Sequence, residues 1–149
     1  MKALFIDTSD TDSLVALLKD EKTVAKFTLA DLPLKERDPQ INKRIKAMLE
    51  KANVKFADLE AYAVVTGPGS WTGVRIGVTV IKAYALAIPK PIIAIRQNPE
   101  HTHPFAEIIK EVNEKFKKGE FTELDKLEPF YDGEFKVTPK KKRESNETN

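Results

Sequence analysis

An α/β fold is predicted by three features of this sequence. Short apolar runs alternate with stretches of helical period, a strand–helix–strand unit lies between Ala61 and Ile95, and a glycine-rich turn joins that strand to that helix. The 149 residues, 41% hydrophobic and 32% charged, suit one domain around a modest core. Zero cysteines exclude disulfides, thiol catalysis and cysteine-held zinc or iron–sulfur centres, and two histidines cannot build an extensive metal site. Basic residues number 25 against 23 acidic, and the segment Pro139 to Asn149 carries the whole excess. The body is therefore neutral, which argues against a nucleic-acid module with a wholly basic surface. The longest apolar stretch, Gly73 to Ile88, is broken by Arg75, Thr79 and Lys82 and is too short and polar to span a bilayer. Met1-Lys2 runs straight into Ala3-Leu4-Phe5-Ile6 without an apolar leader, so a cytoplasmic protein is expected.

Leu4-Phe5-Ile6 reads as a first strand, ended by the polar cluster Asp7 to Asp12. Leu14 to Leu18 and Val24 to Leu29 follow as two more, separated by the turn Lys19-Asp20-Glu21-Lys22, which makes an antiparallel meander. Pro33 and Pro39 predict a loop. Ile41, Ile45, Met48, Leu49 and Ala52 then form one helical stripe over 40–52. Ala61 to Val65 is a buried strand, 72–87 a second helix stopped by Pro89 and Pro91, and Ile92 to Ile95 a fifth strand. Beyond Arg96, Pro104 suits the first turn of a helix whose stripe is Phe105, Ile108, Ile109, Val112 and Phe116, ending at Gly119. Asp132-Gly133 signals a hairpin, and 139–149 reads as a disordered basic tail. The expected division is 1–96, a reduced helix and hairpin at 97–138, and the tail.

Four of the six glycines fall at 67, 69, 73 and 77. A glycine-rich turn entering a helix capped by Ser70 or Thr72 has two readings: a phosphate cradle, or a tight strand-to-helix connection that binds nothing. Arg75 sits in the first turn of that helix, where a cation opposes the macrodipole by about 0.3–1 kcal/mol. An anionic partner accounts for it, and Asp7 is the candidate, as an internal pair or as part of a ligand site. The helix itself is apolar almost all round. Val74, Gly77, Val78, Ile81, Ala85 and Ile88 form one side, and Gly73, Ile76, Val80, Ala83, Tyr84 and Ala87 another. Such a helix needs two partners, and few elements are left to supply the second, so a subunit interface is expected. Glu100, His101 and His103 suggest exposed loop residues more than a metal site, and no carboxylate pair is assignable to acid–base work.

Asp7-Thr8-Ser9 after the first strand and Gly67-Pro68-Gly69-Ser70-Trp71-Thr72-Gly73-Val74-Arg75-Ile76-Gly77 together resemble the TsaB (YeaZ) family. That family is the dimerisation subunit of the bacterial machinery that makes threonylcarbamoyladenosine in tRNA. The resemblance runs from about Ala3 to Ile95, with Trp71 where phenylalanine is usual. It implies an actin-like, sugar-kinase-like (ribonuclease H-like) first half, a mixed sheet of about five strands with flanking helices, and a reduced second subdomain. The histidine-serine-glutamate element that commonly precedes the first helix is replaced here by Asp38-Pro39-Gln40.

The resemblance further implies a non-catalytic scaffold that binds and stabilises a TsaD-type threonylcarbamoyltransferase. That transferase modifies the adenosine next to the anticodon of tRNAs reading ANN codons. ATP and a metal are expected on partner subunits, with no catalytic or metal-ligating residue in this chain. Expected partners are the TsaD-type subunit, a TsaE-type ATPase, a second copy of the chain, and tRNA indirectly. The association surface would hold Ile76, Val80, Ala83, Tyr84 and Ala87, with Ile45 and Leu49 beside them. Two rival functions stand next to this one: a reduced actin-like ATPase or phosphotransferase using Asp7 and the loop Gly67 to Gly73, and a repurposed dimerisation module.

Overall fold

Leu4, Phe5 and Ile6 are apolar without a break, and a strand of that composition needs cover on both faces. In the computed structural model, which describes residues 1–97 and 104–130, β1 (Lys2–Asp7) is the central strand of five, in the order β3-β2-β1-β4-β5. β2 (Leu14–Lys19) pairs with it antiparallel, and β3 (Lys22–Thr28) pairs antiparallel with β2 at one edge. β4 (Ala61–Gly67) and β5 (Ile92–Arg96) run parallel to β1 on its other side. The sheet is mixed because only the last two connections carry a helix long enough for a crossover.

The period of two along each strand divides the core. Leu4, Ile6, Val15, Leu17, Tyr62 and Val64 point to one face, against α1 (Leu34–Lys51) and α2 (Trp71–Ala87). Phe5, Ala16, Leu18, Ala63, Val65 and Ile93 point to the other, against α3 (Phe105–Lys118) through Ile108, Ile109 and Val112. Burying each large apolar side chain in these layers stabilises by about 1.5–3 kcal/mol. α3 ends where Gly119 adopts φ 70°, the left-handed C-cap the sequence suggests, with Lys115, Lys117 and Lys118 in its last turn. The chain then passes round the edge strand. Thr122 N–H donates to the Ile92 carbonyl at 2.8 Å, and Leu127, 1% exposed, joins the core on the α2 side.

One boundary differs from the sequence reading. α1 begins at Leu34 rather than near Gln40, and Pro39 lies inside it. The first turn is anchored by Arg37, which is 6% exposed. Its Nε donates to the Leu32 carbonyl at 3.0 Å, and a terminal nitrogen donates to the Thr11 carbonyl at 2.8 Å and to Ser13 Oγ at 3.1 Å. These bonds fix the turn ahead of the proline, so the missing N–H of Pro39 weakens the helix without ending it. The hairpin expected at Asp132-Gly133, the tail, and Glu100, His101 and His103 lie outside the described residues.

Candidate functional site

β1 and β4 are parallel neighbours in the register Ile6↔Val64, so their C-terminal ends meet at one rim of the sheet. In open α/β sheets that rim is where ligands bind. Here it brings together Asp7, Thr8 and Ser9, the turn 67–70 and the start of α2. Gly67 has φ 112° and a cis bond to Pro68. Ser70 caps α2, its Oγ accepting from the Gly73 N–H at 3.2 Å, and its own N–H donates to the Ser9 carbonyl at 2.9 Å.

The glycines are there because the two ends touch. A Cβ on Gly69 would stand 2.4 Å from the Ser9 carbonyl oxygen, and one on Gly77 2.6 Å from Thr8 Oγ1. The Thr8 hydroxyl donates to the Gly73 carbonyl and accepts from the Gly77 N–H at 3.0 Å. Those two backbone groups are the i, i+4 pair of one helical turn, so a β1 side chain is stitched into α2. The glycines thus serve a tight strand-to-helix connection, in which Thr8 and Ser9 take the space that a Cβ would need.

Asp7 is held locally. Its Oδ1 accepts from the Ser9 N–H at 2.9 Å and from Ser9 Oγ at 2.5 Å, an Asx-type turn, and its Oδ2 accepts from the Gln97 amide at 3.3 Å. Burial pushes the carboxyl above its ordinary value, and the two Ser9 bonds work against that rise. Arg75 is exposed and lines a cleft of about 210 Å³ between α1 and α2 with Asp38, Thr72, Ile76 and Thr79.

A cover over this rim was not legible in the sequence. The Phe130 N–H donates to the Thr66 carbonyl at 2.8 Å, and the Gln97 N–H to the Gly67 carbonyl at 2.9 Å. The Arg96 guanidinium lies over the Phe130 ring, 3.6 Å from its centroid. No local signal announces such a contact, because its partners are 34 positions apart.

Four of the seven residues expected at an association surface lie in the chain's own core: Ile45 is 0% exposed, Leu49 2%, Ile76 7% and Val80 8%. The reason is that α1 already covers that side of α2. Tyr84, half-buried, joins the two helices: its hydroxyl donates to Asn42 Oδ1 at 2.5 Å and its ring sits 5.0 Å from that of Phe56. Burial pushes its phenol up to about 12. Ala83 and Ala87 are exposed. Beside them Leu86 is 72% exposed, although nothing in the sequence reading singled it out. A signal existed: at helical spacing Leu86 continues the strip of Arg75, Thr79 and Lys82, an apolar residue where the strip is otherwise polar.

Among the described residues no group of three or more His, Asp or Glu is placed to hold a metal ion, and no helix is long and apolar enough to cross a membrane.

A family model described as "TsaD: tRNA N6-adenosine threonylcarbamoyltransferase" matches residues 35–109, just over half of the chain. The chain is 34% identical over 95 residues to "tRNA threonylcarbamoyladenosine biosynthesis protein TsaB" of Bacillus subtilis (strain 168), covering 64% of this chain and 41% of that protein. It is 33% identical over 111 residues to a "tRNA N6-adenosine threonylcarbamoyltransferase" of Wolbachia sp. subsp. Drosophila simulans (strain wRi), covering 66% of this chain and 33% of that one. Among solved structures, YeaZ from Pseudomonas aeruginosa superposes with a TM-score of 0.54 at 27% identity, over 64% of this chain and 42% of YeaZ. Thermus thermophilus RuvC shares the fold, with a TM-score of 0.52 at 14% identity over 87% of this chain and all of RuvC. This chain spans about two-fifths or less of the curated relatives it matches.

Proposed function

The chain belongs to the TsaD family, on its TsaB (YeaZ) side, and from that premise we propose that it is a non-catalytic docking subunit for a TsaD-type threonylcarbamoyltransferase. It stabilises that partner in the cytoplasm while the adenosine next to the anticodon of tRNAs reading ANN codons receives its threonylcarbamoyl group. ATP and metal belong to partner subunits, and a TsaE-type ATPase and tRNA join through the partner. Without the partner, the same surface pairs two copies of this chain.

The observation that carries the reading is the outer face of the second half of α2. Leu86 stands 72% exposed between the small exposed residues Ala83 and Ala87. An exposed apolar strip on a helix packed against its own sheet suits a preorganised interface with a second helix. The rim supports a silent role in that Gly69 and Gly73 are accounted for by the close approach of the Ser9 and Thr8 backbone, without calling on a ligand.

Light scattering of the full chain, alone and mixed with the TsaD-type protein of the same source, tests the proposal. A stoichiometric complex that replaces the homodimer is expected. Absence of a complex at micromolar concentration, together with nucleotide affinity lost on Asp7→Ala, would favour the ATPase or phosphotransferase reading instead.

A further inference from the structure

We propose that the groove between β3 and α1 binds an extended, acidic segment of a partner protein as an added strand. Among the described residues β3 pairs with β2 alone, so its outer edge is open. Beside that edge lies a groove of about 510 Å³. Its floor is apolar, built chiefly from Val24, Phe27, Ala47 and Met48, and its charged lining residues are Lys26, Arg44 and Lys51, with no carboxylate among them. That volume falls in the range of ligand-binding clefts, and an open strand edge beside an apolar groove is the geometry of strand addition.

The charge selects the occupant. β3 carries Lys22 and Lys26 and no acidic residue. Lysines on an edge repel a basic strand, and they oppose pairing with β3 of a second copy in any register that sets lysine beside lysine. The same charges attract a strand that alternates acidic with apolar residues, the apolar side chains entering the groove beside Phe27 and the carboxylates on its other face meeting Lys26, which shares the sheet face of its partner Ala16. Arg44 is already paired with Asp31 at 2.8 Å and donates to the Thr28 carbonyl at 3.1 Å, which closes one end of the groove and leaves Lys26 and Lys51 for the ligand. The apolar floor favours a peptide over nucleic acid, since Val24, Phe27, Ala47 and Met48 offer apolar side chains a surface that a phosphate backbone cannot use. The groove is separate from the α2 face, because Asp38 and Asn42 of α1 face α2 whereas Arg44, Ala47, Met48 and Lys51 face β3.

The test is fluorescence polarisation with the full chain and a labelled seven-residue peptide alternating glutamate and valine. Saturable, salt-weakened binding is expected, with a loss of at least about tenfold in the Lys26→Glu/Lys51→Glu double variant. Ala47→Glu, an exposed helical position, should weaken binding similarly without lowering the melting temperature. Amide shifts of the labelled chain should move at 24–27 and 47–51. No saturation by about 1 mM peptide overturns the proposal. So does equal binding of a lysine–valine peptide, or displacement of the probe by an RNA oligonucleotide through the same lysines. None of these outcomes bears on the TsaD-type partner, whose binding is read separately.

Discussion

A Cβ on Gly73 would stand 2.1 Å from the carbonyl oxygen of Thr8. Backbone lies on both sides of that contact, so neither can yield without moving β1 or α2. Gly73→Ala should therefore destabilise by about 3 kcal/mol despite alanine's better helix propensity, lowering the melting temperature by about 10 °C. Gly119→Ala is the control. Its Cβ would meet nothing within 4 Å, and only the strain of φ 70° opposes it, for a loss of about 1 kcal/mol.

Thr8→Val keeps the shape and removes the hydroxyl that bridges Gly73 and Gly77. Two buried backbone groups lose a partner, and denaturant unfolding should show a cost of about 1–2 kcal/mol. A change within a few tenths of that of wild type would mean that α2 closes its own ladder.

Asp7 sets a pH dependence whose sign follows from its raised pKa. The folded state prefers the protonated carboxyl, so stability is lost as pH rises from the ordinary carboxylate value through the folded one. Asp7→Asn keeps the acceptor for Ser9 and cannot ionise. The variant should melt higher than wild type at pH 7, with the gap shrinking as pH falls toward 4. A gap that widens on acidification would show that the carboxylate is stabilised in the fold.

Leu86→Glu should abolish association with a TsaD-type partner, or between copies, while circular dichroism and melting stay as in wild type, because the side chain is already in water. Ile76→Glu, at 7% exposure, should unfold the chain. Tyr84→Glu is expected to damage the fold too, since Tyr84 ties α2 to α1 through Asn42. If Leu86→Glu leaves the complex intact, the docking surface lies elsewhere.

Arg37→Met removes the donor to Leu32, Thr11 and Ser13 and leaves two carbonyls poorly satisfied. About 2–3 kcal/mol should be lost in urea unfolding, and hydrogen exchange should rise first at the start of α1.

By itself the sequence determined the three antiparallel strands, the crossover from Ala61 to Ile95 and α3 with its glycine stop, because these follow from local periodicity and from caps a few residues away. The family was legible as well, since the rim needs particular residues at Thr8, Gly69, Gly73 and Gly77 for β1 and α2 to touch. Only the tertiary structure decided how the apolar surface of α2 is shared. Periodicity shows that Ile76, Val80 and Leu86 are apolar, but which of them meets water depends on where α1 arrives, and α1 covers the first two. The same holds for Pro39, tolerated inside α1 because Arg37 reaches back to Thr11 and Ser13, and for Phe130, laid over Arg96 from far along the chain. A contact between distant segments leaves no periodic trace in either one, because its free energy depends on their placement in space and not on their neighbours in sequence.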